Sequence, residues 1–87
     1  MYVLLVYDVG EKRVGKILKF LRKHLHWIQN SVFEGEITEA QLMKIENGVK
    51  RIIDINTDSV IFFSSRDKKW LDKRIIGQEK QDTDNFI

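Results

Sequence analysis

Asp8 ends an apolar run, Met1-Tyr2-Val3-Leu4-Leu5-Val6-Tyr7, and is followed at once by Val9 and Gly10. A run this short and β-branched, closed by a glycine, reads as a central strand rather than a helix. The carboxylate then lies where a buried strand opens into a cleft, and Asp8 is the first candidate for both catalysis and metal ligation. The chemistry is that of a hard cation: Mg²⁺ takes about six oxygens, usually one or two from carboxylates and the rest from water or phosphate. One carboxylate does not hold such an ion alone, so a two-fold homodimer supplying a second Asp8 is expected. The pair would share one cation, polarise a phosphodiester and lower the pKa of a bound water. Two close carboxylates resist joint ionisation, so metal affinity should fall in acid. The plainer reading of Asp8 is a turn residue or a cap for the helix that follows.

No second constellation competes with it. His24 and His26 are two positions apart at a helix end, where they cannot share a helical face and are better suited to capping carbonyls than to base catalysis. Ser31, Ser59, Ser64 and Ser65 have no His and acid partners in sequence terms, and neither a Gly-rich phosphate loop nor Cys/His zinc spacing is present. Tyr7, Trp27, Phe33, Phe62, Phe63 and Trp70 could stack on bases, but aromatics at strand positions are usually core. Trp70, set among cations, is the best placed of them for exposure.

The elements that must position Asp8 follow from periodicity. From Glu11 to His24, Val14, Ile17, Leu18, Leu21 and Leu25 form the apolar stripe of an amphipathic helix, while Lys12, Arg13, Lys16, Lys19, Arg22 and Lys23 make its other faces basic. His26 to Ile37 reads as two short strands bending near Asn30-Ser31. Thr38 and Gln41 match a capping box that opens a second helix, carried by Leu42, Ile45, Val49, Ile52 and Ile53 and ending near Asp54. Within it Gly48 reads as a tolerated weak point, costing about 1 kcal/mol against Ala. Asp54-Ile55-Asn56-Thr57-Asp58 is turn-forming, and Ser59 to Ser64 reads as a continuously buried strand.

The resulting order, strand-helix-strand-strand-helix-strand, is the ferredoxin-like α+β arrangement, in which two helices cover one face of a four-stranded antiparallel sheet. Ile75-Ile76-Gly77 offers a fifth strand, expected to add to the partner subunit's sheet, with 75–87 as a swapped strand and tail. With 87 residues the chain makes one domain, 1–87, small enough that covering a sheet edge in a partner adds materially to its stability. Fifteen Lys and Arg against thirteen Asp and Glu give a net charge of only +2, so nucleic-acid binding rests on segregation of charge onto the first helix and the Arg66 to Arg74 stretch. Lys12, Lys16, Lys19, Arg66, Lys68 and Lys69 are the expected phosphate contacts. Nothing resembles a recognition helix arrayed for base edges, so contact is expected to the backbone. No apolar run approaches the roughly 20 residues of a membrane span, cysteine is absent, and no charged-then-apolar leader opens the chain. A cytoplasmic protein without membrane attachment is expected.

Tyr7-Asp8-Val9, the basic helix, Gln29-Asn30-Ser31-Val32-Phe33-Glu34-Gly35-Glu36-Ile37-Thr38, Asp58-Ser59-Val60 and Ile76-Gly77 together resemble the small CRISPR-associated protein two family, over nearly the whole chain. The Ser-Val-Phe-Glu-Gly stretch is the most specific piece. The resemblance implies a homodimer with a swapped C-terminal strand, Mg²⁺ shared by two Asp8 residues, and endonuclease cleavage of single-stranded RNA or double-stranded DNA. It also implies a part in spacer acquisition, as the bridge on which dimers of the larger CRISPR integrase subunit assemble with DNA. Carried over position by position, the metal ligand falls on Asp8, with Tyr7, Arg13 and Phe33 as supporting positions. The first loop, Gly10-Glu11-Lys12-Arg13, is shorter and less arginine-rich than in many members.

Three other functions fit the same elements. A non-catalytic DNA-binding scaffold bridging integrase dimers would not need Asp8. An RNA-targeting toxin would share the first strand, and a ligand-sensing domain would bind no nucleic acid at moderate salt.

Overall fold

An apolar run with no polar alternation puts apolar side chains on both faces of its sheet, and the first strand does so. In a computed structural model, which describes residues 1–66, 74, 76 and 77, the order is β1 (Tyr2–Asp8), α1 (Glu11–Arg22), β2 (His26–Gln29), β3 (Val32–Glu36), α2 (Glu39–Ile52) and β4 (Ser59–Ser65). The sheet runs β2-β3-β1-β4, with every neighbouring pair antiparallel. This is the α+β, ferredoxin-like order expected from the sequence.

Alternation along β1 sorts its side chains between two faces. Val3, Leu5 and Tyr7 join Phe33 of β3, Ile17 and Leu21 of α1 and Ile45 and Val49 of α2 in one buried cluster, so both helices cover the same face. The opposite face carries Leu4, Val6 and Asp8, which lie across from Phe63, Ile61 and Ser59 of β4.

Local signals fix the connections. Thr38 Oγ1 accepts from the Gln41 N–H at 3.1 Å and Gln41 Oε1 accepts from the Thr38 N–H at 2.8 Å, completing the expected capping box. The β2–β3 turn passes through Asn30 at φ 42°, a left-handed conformation that Asn tolerates better than most residues, and the Trp27 indole N–H ties its carbonyl at 2.9 Å.

Several expectations need correction. α1 ends at Arg22 and α2 at Ile52, each two residues earlier than the sequence pattern. β4 is not buried on both faces: it lies at the sheet's edge, and Ile61 and Phe63 are 49% and 50% exposed. Its apolar run reflects one face in the core and one face without cover among the described residues. Gly48 is no weak point, because it is buried against the Phe20 ring, with which an added Cβ would collide. The His24 ring packs against Phe20 at 4.9 Å between centroids, and burial lowers its pKa. His26 lies in β2. No helix among the described residues is long and apolar enough to cross a membrane. Lys68, Lys69, Trp70 and most of the expected fifth strand and tail lie outside the described residues; of that strand only Ile76, fully exposed, and Gly77, at φ 102°, are inside.

Candidate functional site

Because β1 is central, its last residue emerges where three connections meet. Asp8 is exposed and borders a shallow cleft of about 380 Å³, open to solvent, with Tyr7, Val9, Val14, Asn30 and Ser31. The Tyr7 N–H donates to the Ser31 carbonyl at 3.1 Å, which holds the β2–β3 turn against the end of β1. Asp8 does not cap α1: the N-cap is Gly10, with no side-chain cap. A strand end thus presents a carboxylate to water, with an amide and a hydroxyl from the neighbouring turn nearby.

Those are hard oxygen donors, the type Mg²⁺ or Mn²⁺ takes. One chain supplies a single carboxylate there, and no group of three or more His, Cys, Asp or Glu side chains gathers as a metal site among the described residues. The donor set of one chain fits a hard cation in chemistry and falls short of one in number.

The supporting positions take different roles. Tyr7 turns inward, its ring 6.3 Å from that of Phe33, and burial raises its phenol pKa against the opposing charge of Arg22. Phe33 is fully buried in the core. It reaches the site only by supporting Tyr7. Arg13, in the first turn of α1, forks onto Asp58 with Nε to Oδ2 at 2.5 Å and Nη2 to Oδ1 at 2.9 Å. Lys12, Lys16 and Lys19 are all exposed on α1, at steps of four and three that align them on one stripe. Arg66 is exposed just beyond β4.

Asp58, in sequence terms a turn residue at the entry to the fourth strand with no part in the site, proves to be its most heavily bonded side chain. Its side chain, 1% exposed, accepts from the Gly10 N–H at 2.9 Å, from Arg13, and from the Asp54 N–H at 2.8 Å. These donors, Arg13 first among them, hold its carboxyl far below the ordinary aspartate range. A signal for it does exist in the topology. Antiparallel pairing of β1 with β4 sets the residue before Ser59 beside those after Asp8, where an arginine in the first helical turn needs a partner.

Residues 1–73 match the family described as CRISPR associated protein Cas2. The chain belongs to the Cas2 family. A relative from Methanosarcina acetivorans, named CRISPR-associated endoribonuclease Cas2, is 51% identical over 87 residues, covering 100% of each chain. One solved Cas2 structure superposes with a TM-score of 0.84 at 44% identity, over 92% of this chain and 90% of that one. Streptococcus pyogenes Cas2 gives a TM-score of 0.73 at 30% identity, over 86% and 99%. The Cas2 likeness therefore spans the sheet, both helices and the strand end that carries Asp8.

Proposed function

We propose that this Cas2 protein is a Mg²⁺-dependent endonuclease of CRISPR adaptation, cleaving single-stranded RNA or double-stranded DNA as a homodimer in the cytoplasm. The observation that carries the reading is Asp8: an exposed carboxylate at a central strand end, bordering a cleft, in a chain whose full-length relatives are named endoribonucleases. The open sheet face supports the dimer, since Ile61 and Phe63, with Leu4 and Val6 half-buried beside them, leave apolar surface there and Asp8 lies on the same face of β1. The segment 75–87 is proposed to add to the partner's sheet.

In this dimer the two Asp8 carboxylates would hold the cation, with Ser31 and Asn30 of the same cleft beside them. Bound there, Mg²⁺ supplies positive charge against the negative charge that develops on the phosphodiester. The Lys12, Lys16 and Lys19 stripe and Arg66 lie along the nucleic-acid backbone, with Lys68 and Lys69 assigned the same part. Tyr7 and Phe33 fill the core beneath the loop, so that the strand end does not sag into it.

A second reading, a scaffold bridging dimers of the larger integrase subunit on DNA, is supported by the lysine stripe, which is independent of Asp8. Asp8→Ala separates the two. Loss of cleavage by the purified protein, with and without Mg²⁺ as control, together with intact spacer acquisition, assigns the cellular role to the scaffold. Loss of both assigns it to the nuclease. Wild-type protein that cleaves neither substrate over a range of Mg²⁺ concentrations removes the hydrolase reading.

A further inference from the structure

The end of the sheet that carries Asp8 holds a second carboxylate whose bonding is saturated. Asp58 receives the Arg13 fork, the Gly10 N–H, the Asp54 N–H and, at 3.4 Å, the Thr57 hydroxyl. Asp54 returns the contact, its carbonyl accepting from the Asp58 N–H at 2.8 Å. One side chain therefore joins three pieces of chain: the β1–α1 loop at Gly10, the first turn of α1 at Arg13, and the α2–β4 connection at Asp54. Asp8 is two residues before Gly10 and lies opposite Ser59, the residue after Asp58. The loop that follows Asp8 is thus gripped from the connection just ahead of the neighbouring strand. Gly10 has a part in this, because a Cβ there would collide with the Arg13 guanidinium lying over the loop.

We propose that Asp58 is a positioning residue for Asp8, and that Arg13 serves the site by binding Asp58 rather than by gripping the phosphate backbone. A guanidinium whose Nε and Nη2 both donate to one carboxylate has committed its side-on fork and is held in place, with only the Nη1 side left for another acceptor. Releasing it for nucleic acid would leave a side chain that is 1% exposed without its counter-charge, its oxygens held only by the Gly10 and Asp54 N–H groups and the Thr57 hydroxyl. Asp58 therefore outcompetes a solvated phosphate for Arg13. The inference rests on the reading of Asp8 as the reacting carboxylate, but its tests need no cleavage.

The full chain serves in three measurements, on Asp58→Asn, Arg13→Gln and the double variant. Asp58→Asn keeps the shape and turns an acceptor into an NH₂ facing the Arg13 donors, a milder change than Ala. Amide exchange at Gly10 should accelerate by an order of magnitude or more in either single variant, while Leu5 in the strand core keeps its protection. The Mg²⁺ concentration that half-saturates the Asp8 amide shift should rise roughly tenfold, the scale on which outer-shell partners act. The slope of log affinity for duplex DNA against log salt should stay at the wild-type value in Arg13→Gln and fall by about 0.9 in Lys16→Ala, one phosphate contact each. The double variant should match the single ones.

Three results overturn the proposal. A slope that drops by about one phosphate in Arg13→Gln means that Arg13 grips the backbone. Gly10 exchange and Asp8 titration unchanged in Asp58→Asn mean that the carboxylate orders nothing. Losses that multiply in the double variant mean that the two side chains act apart. If the wild-type protein cleaves nothing, the nuclease reading falls, while amide exchange and salt slope still decide the part of Arg13 and Asp58.

Discussion

Asp8 and Asp58 lie at adjoining strand ends and carry the same functional group, yet their surroundings could hardly differ more. Asp8 faces solvent above a cleft and makes no side-chain hydrogen bond among the described residues, whereas the Asp58 side chain is 1% exposed and ringed by donors. A carboxylate whose lone pairs are already taken has none to offer a cation; one left in water does. The contrast teaches that the carboxylates at this strand end are divided: one aspartate is left open to solvent and the other is committed to the chain. Bonds to the protein, rather than residue type, assign the parts.

The largest effect should come from the solvent-facing member. Asp8→Ala should cut cleavage on the order of 100-fold or more, or ~2.7 kcal/mol of transition-state stabilisation, read in a single-turnover assay with Mg²⁺. Its unfolding free energy in urea should stay within about 0.5 kcal/mol of wild type, as for an unpaired surface group. A large loss of stability would give Asp8 a structural part and erase the contrast. Asp58→Ala should do the reverse, lowering Tm by several degrees on thermal scans while Asp8→Ala barely moves it.

Acid sharpens the same division. Donors hold the Asp58 carboxyl below its ordinary value, so the unfolded chain takes up that proton before the native one does. The stability Asp58 confers is thus fully present above the ordinary aspartate pKa, about 3.9, and is lost as pH falls from there toward the lower folded value. Wild-type unfolding free energy should therefore decline through that window more steeply than that of Asp58→Asn, and the two curves should run parallel near neutrality. Identical acid slopes would mean that the native carboxyl titrates like a free one.

A hydrophobic counterpart tests the open face on which Asp8 lies. Ile61→Asp or Phe63→Asp places charge among half-exposed apolar side chains at the edge strand. Light scattering after size exclusion should read the mass of a dimer for the wild type and of a monomer for the variant. A variant that stays dimeric would move the subunit contact to another surface and separate the two Asp8 groups.

What could be read from the sequence was whatever local pattern dictates. Apolar periodicity gave both helices and all four strands, Thr38 and Gln41 gave the start of α2, and the closing position of Asp8 gave its exposure, since a strand end leaves the core whatever the fold. The bond from Arg13 to Asp58 spans 45 residues and exists only because β1 and β4 are neighbours, so no local pattern announces it. The exposure of Phe63 was hidden for a related reason: a run of apolar residues looks alike in a central strand and at an edge that awaits cover. The metal question has the same form. One chain contributes one carboxylate at the cleft, and the second that the proposed cation would need lies outside what a single sequence prints.

Two glycines carry the lesson to its smallest effect, because they repeat the contrast of the two aspartates in a residue with no side chain. Gly15 on α1 has nothing within 4 Å of the place a Cβ would take, while Gly48 on α2 lies under the Phe20 ring that joins the two helices. Gly15→Ala should therefore gain helix propensity alone, stabilising by about 0.5–1 kcal/mol. Gly48→Ala gains the same propensity but must displace Phe20, and with it the contact to His24, against a close-packed core. Overpacking of that kind costs about 1–3 kcal/mol, enough to outweigh the gain and leave a net loss near 1 kcal/mol. Urea titration of both variants reads the signs directly: opposite signs uphold the helix contact at Gly48, whereas two stabilised variants would mean that the Phe20 ring swings aside freely and that α1 and α2 are not locked at this point.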